Sequence, residues 1–451
     1  MCGIAGFAGK EASQRTREMI DLLRHRGPDG AAVWEGRDVC LGHVHLKITG
    51  DHPQPVTTGR VTFVYNGEIF NYRDFSGSPS DTGALAGILA GGVEGFLGAA
   101  PAINGDYSLA AWDGEKLALV RDPLGVKPLY YGYTADGFGF ASEKKALWRA
   151  GIRDVRSLAP GAMFSDGEER RVVDLPAYDP VVKDEARAVE MLEGALAASV
   201  QARAHEDAAI AFSGGLDSAL IGALAPETPL LTVGLAGSHD LGAARRAARL
   251  MGAEGRHTVY EMAERDVEEA LEGTIRAVES PDPLRVAIAL PLYVLAQRAR
   301  RDGYRVLLSG QGADELFAGY ARYEKASGEG ALEGMLDHDL RHIARTNLER
   351  DDAAAMAHGV ELRVPYLDPG VVAVSRRIDP SLKLRANGKD YIRKYVLRKV
   401  ADKHLPQETS SAPKKAIQYG TSVQRALERL SKARGTGLAG YLQSLYRVVL
   451  Q

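Results

Sequence analysis

Residues 208–224, AAIAFSGGLDSALIGAL, decide the fold of the C-terminal part of this chain. A short apolar run ends at Phe212, the turn SGGLDS (213–218) follows, and an apolar helix-like run comes next. Glycines let consecutive backbone N–H groups turn inward, and a helix N-terminus adds partial positive charge. The segment therefore predicts an anion-binding loop between a buried strand and a helix. The alternative is an ordinary strand–turn–helix in which Ser or Asp caps the helix.

The sequence on either side of this motif alternates between helix-like and strand-like runs. Residues 184–204 have helical apolar spacing, and PLLTVGL (229–235) and YRVLLSG (304–310) are short apolar runs with glycine-containing turns after them. Such alternation predicts a parallel β-sheet covered by helices. The region from Asp379 onward is predicted to be helical and is rich in Lys and Arg.

A second loop of the same kind lies in VLLSGQGADELFAGY (306–320). An apolar run leads into a glycine-rich turn, and an acidic pair follows. Gly310 and Gly312 could also begin a dinucleotide fingerprint, but Glu315 occupies the position of its last glycine. The first loop, in turn, lacks the Gly-Lys-Ser/Thr of a Walker A motif.

The N-terminal part, to about Tyr178, has a different pattern of apolar and turn-forming residues. Short β-like runs such as RVTFVYNGEIF (60–70) and YSLAAWDGEKLALVRD (107–122) alternate with Gly, Pro and Asp. This density of short runs predicts layered antiparallel sheets with few helices. Two prolines and several charges at residues 174–184 predict a linker. We therefore expect two domains, residues 1–180 and 181–451.

The composition of the 451 residues is that of a globular protein, with 45% hydrophobic and 25% charged residues. A formal net charge of −3 gives no reason to expect nucleic acid or an anionic membrane as a partner. Two cysteines are too few for a disulfide framework, and no signal peptide is recognised, so we expect a cytoplasmic protein. Residues 82–104 are apolar but interrupted by glycines and Pro101, which predicts a packed helix and turn rather than a membrane span.

The chain opens with MCGIAGFAGK (1–10), in which Cys2 directly follows Met1. If Met1 is removed, Cys2 carries a free α-amine with a pKa of about 7.7–8.0 beside its thiol. One residue would then supply both nucleophile and general base. The alternative is a small residue that merely follows Met1. The other cysteine, Cys40, lies in an apolar strand-like run and is predicted to be a core residue.

Six segments occur in a characteristic order: CGIAGF, RHRGPDG, LGHVHLKI, YNGEIFNY, RDPLGVKPLYYG and FASEKKAL. Together they resemble the glutaminase domain of class II glutamine amidotransferases, as found in asparagine synthetases. The resemblance covers most of residues 2–180 and implies an αββα N-terminal-nucleophile fold in which the Cys2 thiolate attacks glutamine. It also implies an oxyanion hole from Asn66 and the Gly67 N–H. The alternative for Asn66-Gly67 is a hairpin turn, for which Asn-Gly is a strong signal.

The glutamine-binding residues that the resemblance implies are His45, Asn66, Glu68 and Asp81. Glu68 and Asp81 would hold the α-amino group of glutamine. His45 stands where the family has an arginine that grips the α-carboxylate, and a histidine cannot make that bidentate contact. Gly83 also stands near Asp81 where an acidic residue is expected.

The C-terminal part resembles ATP pyrophosphatases, and more specifically asparagine synthetases, in residues 208–224, 235–253, 306–320, 356–368 and 411–420. The resemblance implies that Asp217 and Asp314 coordinate Mg²⁺, and hard oxygen ligands suit that ion. It implies that Lys414 neutralises charge on the α-phosphate and pyrophosphate, although Lys414 could also be a solvated loop charge. The implied ATP-binding residues are Ser213, Gly214, Gly215, Asp217, Ser218, Val233, Ser309 and Gly310.

The implied acceptor site contains Gln311 and Asp314. Gln311 stands where the family often has Glu, and Ala287 stands where it commonly has Arg. Arg285 lies two residues before Ala287 and is a candidate replacement. The ligase chemistry is therefore more firmly indicated than the identity of its acceptor.

The sequence as a whole predicts a glutamine-dependent asparagine synthetase that uses glutamine, aspartate, ATP and Mg²⁺. A ligase of the same architecture acting on a different carboxylate is the nearest alternative. A tRNA-modifying pyrophosphate-loop enzyme and a non-catalytic nutrient sensor are further alternatives. The oligomeric state is not indicated by the sequence, and a homodimer is compatible with this prediction.

Overall fold

The computed structural model describes residues 2–75, 77–326, 331–411 and 417–450. The chain forms two compact units. The first comprises residues 1–174 with 356–359, and the second comprises residues 175–355 with 360–451. The chain thus passes from the first unit to the second within the proline-containing segment 174–184.

The first unit contains two antiparallel six-stranded sheets and four α-helices among its described residues. One sheet has the strand order β10-β8-β9-β1-β3-β2, and the other has the order β12-β11-β7-β6-β5-β4. The strands are β1 (Gly3–Gly9), β2 (Gly30–Glu35), β3 (Val39–His45), β4 (Val56–Thr58), β5 (Val61–Ile69), β6 (Gly105–Trp112), β7 (Leu117–Arg121), β8 (Tyr130–Thr134), β9 (Gly137–Ala141), β10 (Arg156–Ser157), β11 (Ala162–Ser165) and β12 (Glu168–Arg171). The helices are α1 (Ala12–Leu23), α2 (Asp81–Leu89), α3 (Gly92–Ala99) and α4 (Lys144–Arg149).

The layers follow from the period-2 alternation of side chains along the strands. Ile4 of β1 and Val64 of β5 belong to one buried cluster, so the two sheets pack face to face. Phe7 of β1 packs with residues of α1 and α4, whereas Phe63 of β5 packs with residues of α2 and α3. Each sheet therefore carries helices on its outer face. The result is the αββα arrangement that the family resemblance implied.

The second unit is built around a parallel sheet of five strands in the order β15-β14-β13-β16-β17. Its strands are β13 (Ala208–Ala211), β14 (Leu230–Leu235), β15 (His257–Met262), β16 (Val306–Leu308) and β17 (Glu361–Arg363), and a separate hairpin contains β18 (Leu384–Asn387) and β19 (Asp390–Arg393). Its helices are α5 (Glu185–Arg203), α6 (Leu216–Leu224), α7 (His239–Leu250), α8 (Glu264–Val278), α9 (Pro283–Arg301), α10 (Ala313–Phe317), α11 (Ala331–Ile343), α12 (Glu349–Met356), α13 (Pro369–Arg377), α14 (Tyr395–Ala401), α15 (Gln407–Ser410), α16 (Ile417–Gly420), α17 (Val423–Ala433) and α18 (Leu438–Leu450). The predicted parallel sheet is confirmed.

Two local predictions were wrong. The region beyond Asp379 is not uniformly helical, because β18 and β19 pair there through a tight turn at Gly388. Residues 82–104 form two α-helices, α2 and α3, rather than one helix and a turn. Within the described ranges, every helix is too short or too polar to cross a bilayer.

Candidate functional site

Cys2 lies just before β1 and is buried. Its backbone N–H donates to Oδ1 of Asn66 over 3.1 Å, and its thiol lies 4.0 Å from the carbonyl oxygen of Leu46. The adjacent Arg26, which is fully buried, donates from Nε to the Cys2 carbonyl over 3.1 Å. These contacts fix the main chain of Cys2 on both sides of its Cα.

Asn66 occupies the middle of β5, where it pairs with Ser108 of β6. The hairpin-turn alternative for Asn66-Gly67 is therefore wrong. Asn66 is completely buried, and its Nδ2 has no hydrogen-bond partner among the described residues. A buried amide donor without a partner is costly, so its presence beside the Cys2 thiol indicates a ligand for it. An oxyanion formed near Cys2 would be such a ligand.

Arg26 is itself held by Glu143, an interaction that sequence reasoning missed. Arg26 Nη1 and His25 Nε2 each lie 3.0 Å from Glu143 Oε1. Burial raises the pKa of Glu143, but His25, Lys145 and Arg26 more than reverse this and hold it well below its usual range. The segments RHRGPDG and FASEKKAL contain these residues, so their joint presence was the available signal.

A small cleft of about 30 Å³ opens beside Cys2. Its walls include Gly67 and three of the four predicted glutamine-binding residues, namely His45, Glu68 and Asp81. The fourth, Asn66, accepts a hydrogen bond from the Cys2 N–H. Burial raises the pKa of Asp81 to about 6, although its Oδ2 accepts a 3.0 Å hydrogen bond from the Tyr65 hydroxyl. The cleft can thus offer two carboxylates to an ammonium group.

The two histidines of β3 stand close to this cleft. Their ring centroids are 5.5 Å apart. His43 is buried, and burial lowers its pKa to about 3, so the ring is neutral. His45 is partly buried, and its Nε2 lies 3.8 Å from Asp51 Oδ1. Cys40 of the same strand is a fully buried core residue, as predicted, and burial raises the pKa of its thiol.

In the second unit, the loop before α6 lines a cavity of about 250 Å³. Ser213 and Ser218 hold the loop through local bonds, with the Ser213 N–H donating to Ser218 Oγ over 3.2 Å. Gly214 has φ +73°, and a Cβ there would lie 2.6 Å from the backbone of Ala244 in α7. Only glycine fits this position, because a side chain would collide with that helix.

Asp217, Asp314 and Lys394 meet at one edge of this loop. Lys394 Nζ lies 2.7 and 2.6 Å from the two carboxylate oxygens of Asp217 and 2.7 Å from Asp314 Oδ1. Burial lowers the pKa of Lys394, and the Asp217 carboxylate opposes that shift. Two carboxylates that converge on one cationic atom also fit a hard divalent cation such as Mg²⁺.

Sequence reasoning missed Lys394 and the other cations of this cavity. Arg246, Arg393 and Arg398 contribute to its walls together with Lys394. Lys394 directly follows β19 and has φ +56°, a conformation that is strained for a residue with a side chain. The missed signal was Asn387-Gly388, which begins a hairpin turn and thereby brings residue 394 to the loop.

The other predicted residues of this half have varied positions. Val233 lies in the apolar core, and the Ser309 N–H donates to the Arg363 carbonyl over 2.9 Å. Gly310 approaches Asp217 so closely that a Cβ would lie 2.9 Å from the Asp217 Cβ. The Gln311 side-chain amide donates to Asp351 Oδ2 over 2.5 Å. Lys414 lies outside the described residues.

Ala287, which departs from the family pattern, and its candidate replacement Arg285 lie in different surroundings. Ala287 is fully buried in the apolar core beneath the sheet. Arg285 donates from Nη1 to the carbonyl oxygen of Arg345 over 3.0 Å, so its guanidinium contacts the backbone of the π-helical segment Ala344–Leu348.

Comparisons with known proteins identify the families of the two parts of the chain. Residues 1–159 match the family model of the glutamine amidotransferase domain, and residues 191–331 and 324–443 match that of asparagine synthase. A relative from Methanocaldococcus jannaschii, described as a glutamine-hydrolysing asparagine synthetase, is 30% identical, and the match covers 96% of each chain. Asparagine synthetase B of Escherichia coli K12 is also 30% identical, over 93% of this chain and 82% of that one. Asparagine synthetase 2 of Arabidopsis thaliana is 29% identical, over 89% and 75%. The chain belongs to the asparagine synthase family, with a class II glutamine amidotransferase domain at its N-terminus.

Proposed function

We propose that this protein is a glutamine-dependent asparagine synthetase. The observation that carries the proposal is that one chain contains both a candidate glutaminase site and a candidate phosphate-binding site. Cys2 shares a cleft with Glu68 and Asp81, and a separate glycine-rich loop lines a cavity with several cationic side chains. The relatives described as asparagine synthetases support the same conclusion.

Glutamine hydrolysis would occur at Cys2. Removal of Met1 would leave an α-amino group beside the thiol, which could take the thiol proton as a general base. The thiolate then attacks the side-chain amide of glutamine, and the carbonyl oxygen gains negative charge. Asn66 Nδ2 and the Gly67 N–H would stabilise that oxygen, and the carboxylates of Glu68 and Asp81 would hold the substrate's ammonium group. Ammonia and a glutamyl thioester result, and water hydrolyses the thioester.

Activation of the acceptor would occur at the loop of residues 213–218. The side-chain carboxylate of aspartate attacks the α-phosphorus of ATP, which gives β-aspartyl-AMP and pyrophosphate. Lys394 and Arg246 would neutralise charge on the phosphates, as would Lys414. Asp217 and Asp314 would hold Mg²⁺, which supplies electrostatic neutralisation of the phosphate oxygens when bound.

Ammonia must then reach the activated carboxyl carbon before it is protonated. Free ammonia is mostly ammonium in neutral water and is then not nucleophilic. We therefore infer that residues 1–180 and 181–451 act together as glutaminase and synthetase domains, with nitrogen transferred between them. Attack on β-aspartyl-AMP releases AMP and gives asparagine.

A second candidate is the same reaction on a different carboxylate. Ala287 packs in the apolar core, and Gln311 presents a neutral amide that is bonded to Asp351. Both positions carry charged residues in the common family pattern, so this chain lacks the charges that the resemblance implies near the acceptor. That difference favours an acceptor other than aspartate.

One assay tests both candidates. Purified protein is incubated with ATP, Mg²⁺ and either glutamine or ammonium, with and without aspartate, and asparagine, AMP and pyrophosphate are measured. Aspartate-dependent formation of all three would support the synthetase. Glutamate formation without any aspartate-dependent AMP would favour the second candidate, and absence of glutamate formation would contradict the role of Cys2.

A further inference from the structure

Three metal-binding side chains converge in the first unit. Cys2 Sγ and one ring nitrogen each of His43 and His45 all lie within 4.8 Å of one another. His43 and His45 point from the same face of β3, because they are two residues apart on a strand. The neighbouring β1 begins directly after Cys2, and the pairing of Gly3 with Val44 brings the thiol to that face.

The nitrogen atoms of this cluster are available as ligands. His43 is 1% exposed, and its Nε2 has no hydrogen-bond partner among the described residues. The ring also bonds the backbone of Tyr65, and this bond must use Nδ1 because Nε2 is unbonded. A histidine with Nδ1 bonded to backbone and Nε2 unbonded has the orientation seen in metal ligands. Within the described chain, neither ring nitrogen of His45 has a hydrogen-bond partner.

We propose that Cys2, His43 and His45 form a binding site for a thiophilic divalent cation of the Zn²⁺ class. Zinc binds cysteine sulfur at about 2.3 Å and histidine nitrogen at about 2.0–2.1 Å, usually with tetrahedral geometry. Ligand atoms within 4.8 Å of one another reach those distances through side-chain shifts of about 1 Å. Three protein ligands leave a fourth position for water or the Cys2 α-amine.

The surroundings suit an ion. The cleft beside Cys2 has a volume of about 30 Å³, which accommodates a water molecule or a metal ion. The thiol and the two imidazoles are ligand types that suit Zn²⁺. The Asp51 carboxylate lies 3.8 Å from His45 Nε2 and also pairs with Lys47. Binding releases the thiol proton, since the thiolate is the form that ligates the metal, and no electron transfer is involved.

His45 makes this site particular to this chain. The sequence resemblance gives an arginine at this position, and a guanidinium has no lone pair to offer a metal. With His45 in place, the nucleophile of glutamine hydrolysis becomes a metal ligand. Metal binding and glutamine hydrolysis are therefore mutually exclusive, an inference that depends on the proposed role of Cys2. Zinc would inhibit glutamine-dependent synthesis and leave ammonia-dependent synthesis unchanged.

Cobalt is the probe for the site, because a thiolate–Co²⁺ charge-transfer band reports sulfur ligation directly. The full chain is stripped with a chelator and titrated with Co²⁺ and then with Zn²⁺ against a chromophoric chelator. We expect one thiolate-ligated ion per chain. His45→Arg should abolish the band or weaken Zn²⁺ affinity more than tenfold. Mutation of a ligand's hydrogen-bond partner already lowers metal affinity by about 10–100-fold, and loss of the ligand itself should lower it further.

Two control variants separate this site from other metal-binding groups. Cys40→Ala removes the only other cysteine and should retain the band. His338 and His342 form an exposed pair with ring centroids 4.1 Å apart, so the double variant H338Q/H342Q removes a potential sulfur-free site and should also retain the band. A band that survives His45→Arg with Zn²⁺ affinity within tenfold of the parent protein, or the absence of the band from the parent protein, would overturn the proposal.

Glutaminase activity of the metal-free protein distinguishes the two proposals. An active glutaminase without a thiolate–Co²⁺ band would remove the metal site and leave the proposed function intact. A thiolate–Co²⁺ band that depends on His45, in a protein without glutaminase activity, would support the site and contradict the role of Cys2 in glutamine hydrolysis.

Discussion

Lys394 Nζ lies 2.7 and 2.6 Å from the two carboxylate oxygens of Asp217, at the start of α6. The same amino group lies 2.7 Å from Asp314 Oδ1, so one buried cation joins both glycine-rich loops. A cation in this position can compensate the two carboxylates or move to an incoming phosphate. Substitution of Lys394 is therefore a direct test of the proposed phosphate chemistry in the second unit.

Lys394→Met should reduce ATP-dependent synthesis by about 10²–10³-fold, because it removes a positive charge from the site of charge development. Both glutamine-supported and ammonia-supported synthesis should fall, and glutamine hydrolysis should persist. Pyrophosphate release measures the first two activities. Lys399→Met is the matched control on α14, since Lys399 is more exposed and lies 4.0 Å from Asp402. Normal ammonia-dependent synthesis in Lys394→Met would show that this lysine has no role in phosphate chemistry.

Gly319→Ala tests the packing around the same lysine. A Cβ at residue 319 would lie 1.8 Å from Asp314 Oδ1 and 2.3 Å from Lys394 Cε, so the cluster must move apart. We expect strongly reduced ATP-dependent activity with an unchanged glutaminase. Gly334→Ala in α11 is the control, because a Cβ there meets nothing within 4 Å and alanine favours the helix by about 1 kcal/mol. Equal activity of the two variants would contradict this account.

Cys2→Ala should lower glutamine-dependent synthesis by at least about 10³-fold, as expected when a covalent nucleophile is removed. Synthesis supplied with ammonium should remain, since the cavity lined by Ser213 and Asp217, the proposed ATP site, belongs to the other unit. Cys40→Ala should retain both activities. Loss of ammonia-dependent synthesis in folded Cys2→Ala would contradict the proposed division between the two sites. Intact-mass measurement of the active protein should find Met1 absent.

The pH dependence of glutamine binding should follow Asp81. Burial raises its pKa to about 6, so the carboxylate becomes neutral as the pH falls through about 6. A neutral Asp81 attracts the α-ammonium of glutamine less strongly, and the KM for glutamine should therefore rise below pH 6 while remaining constant between pH 7 and 8. In Asp81→Asn the KM should be high and lack this titration. A pH profile that is the same in both proteins would exclude Asp81 as the responsible group.

The sequence predicted the regular architecture well. The short β-like run at residues 60–70 and short apolar runs such as residues 208–211 are local signals, and both became strands. Two Asn-Gly pairs show the limit of such reasoning. An Asn-Gly pair favours a hairpin turn, yet Asn66-Gly67 lies inside β5, whereas Asn387-Gly388 begins the turn between β18 and β19. Cross-strand pairing decides between these outcomes, and it depends on distant residues.

The residues of the candidate sites likewise fall into those that local motifs predict and those that only the tertiary structure brings together. Cys2 and Asp217 lie in distinctive local motifs and were predicted. Lys394 and Arg246 were not, because each is an ordinary basic residue whose neighbours in space are remote in sequence. The cluster of Cys2, His43 and His45 also requires the antiparallel pairing of β1 with β3, which no single segment encodes.

Gly214 lies so close to α7 that its conformation depends on where that helix runs. The same helix contributes Asp240 and Arg246 to the cavity wall. Transplanting SGGLDS into another strand–helix junction would therefore transfer the sequence of the loop but not its conformation. The conformation depends on contact with the backbone of α7. Among homologues that diverge from this chain, substitutions in the loop and substitutions in α7 should therefore be correlated.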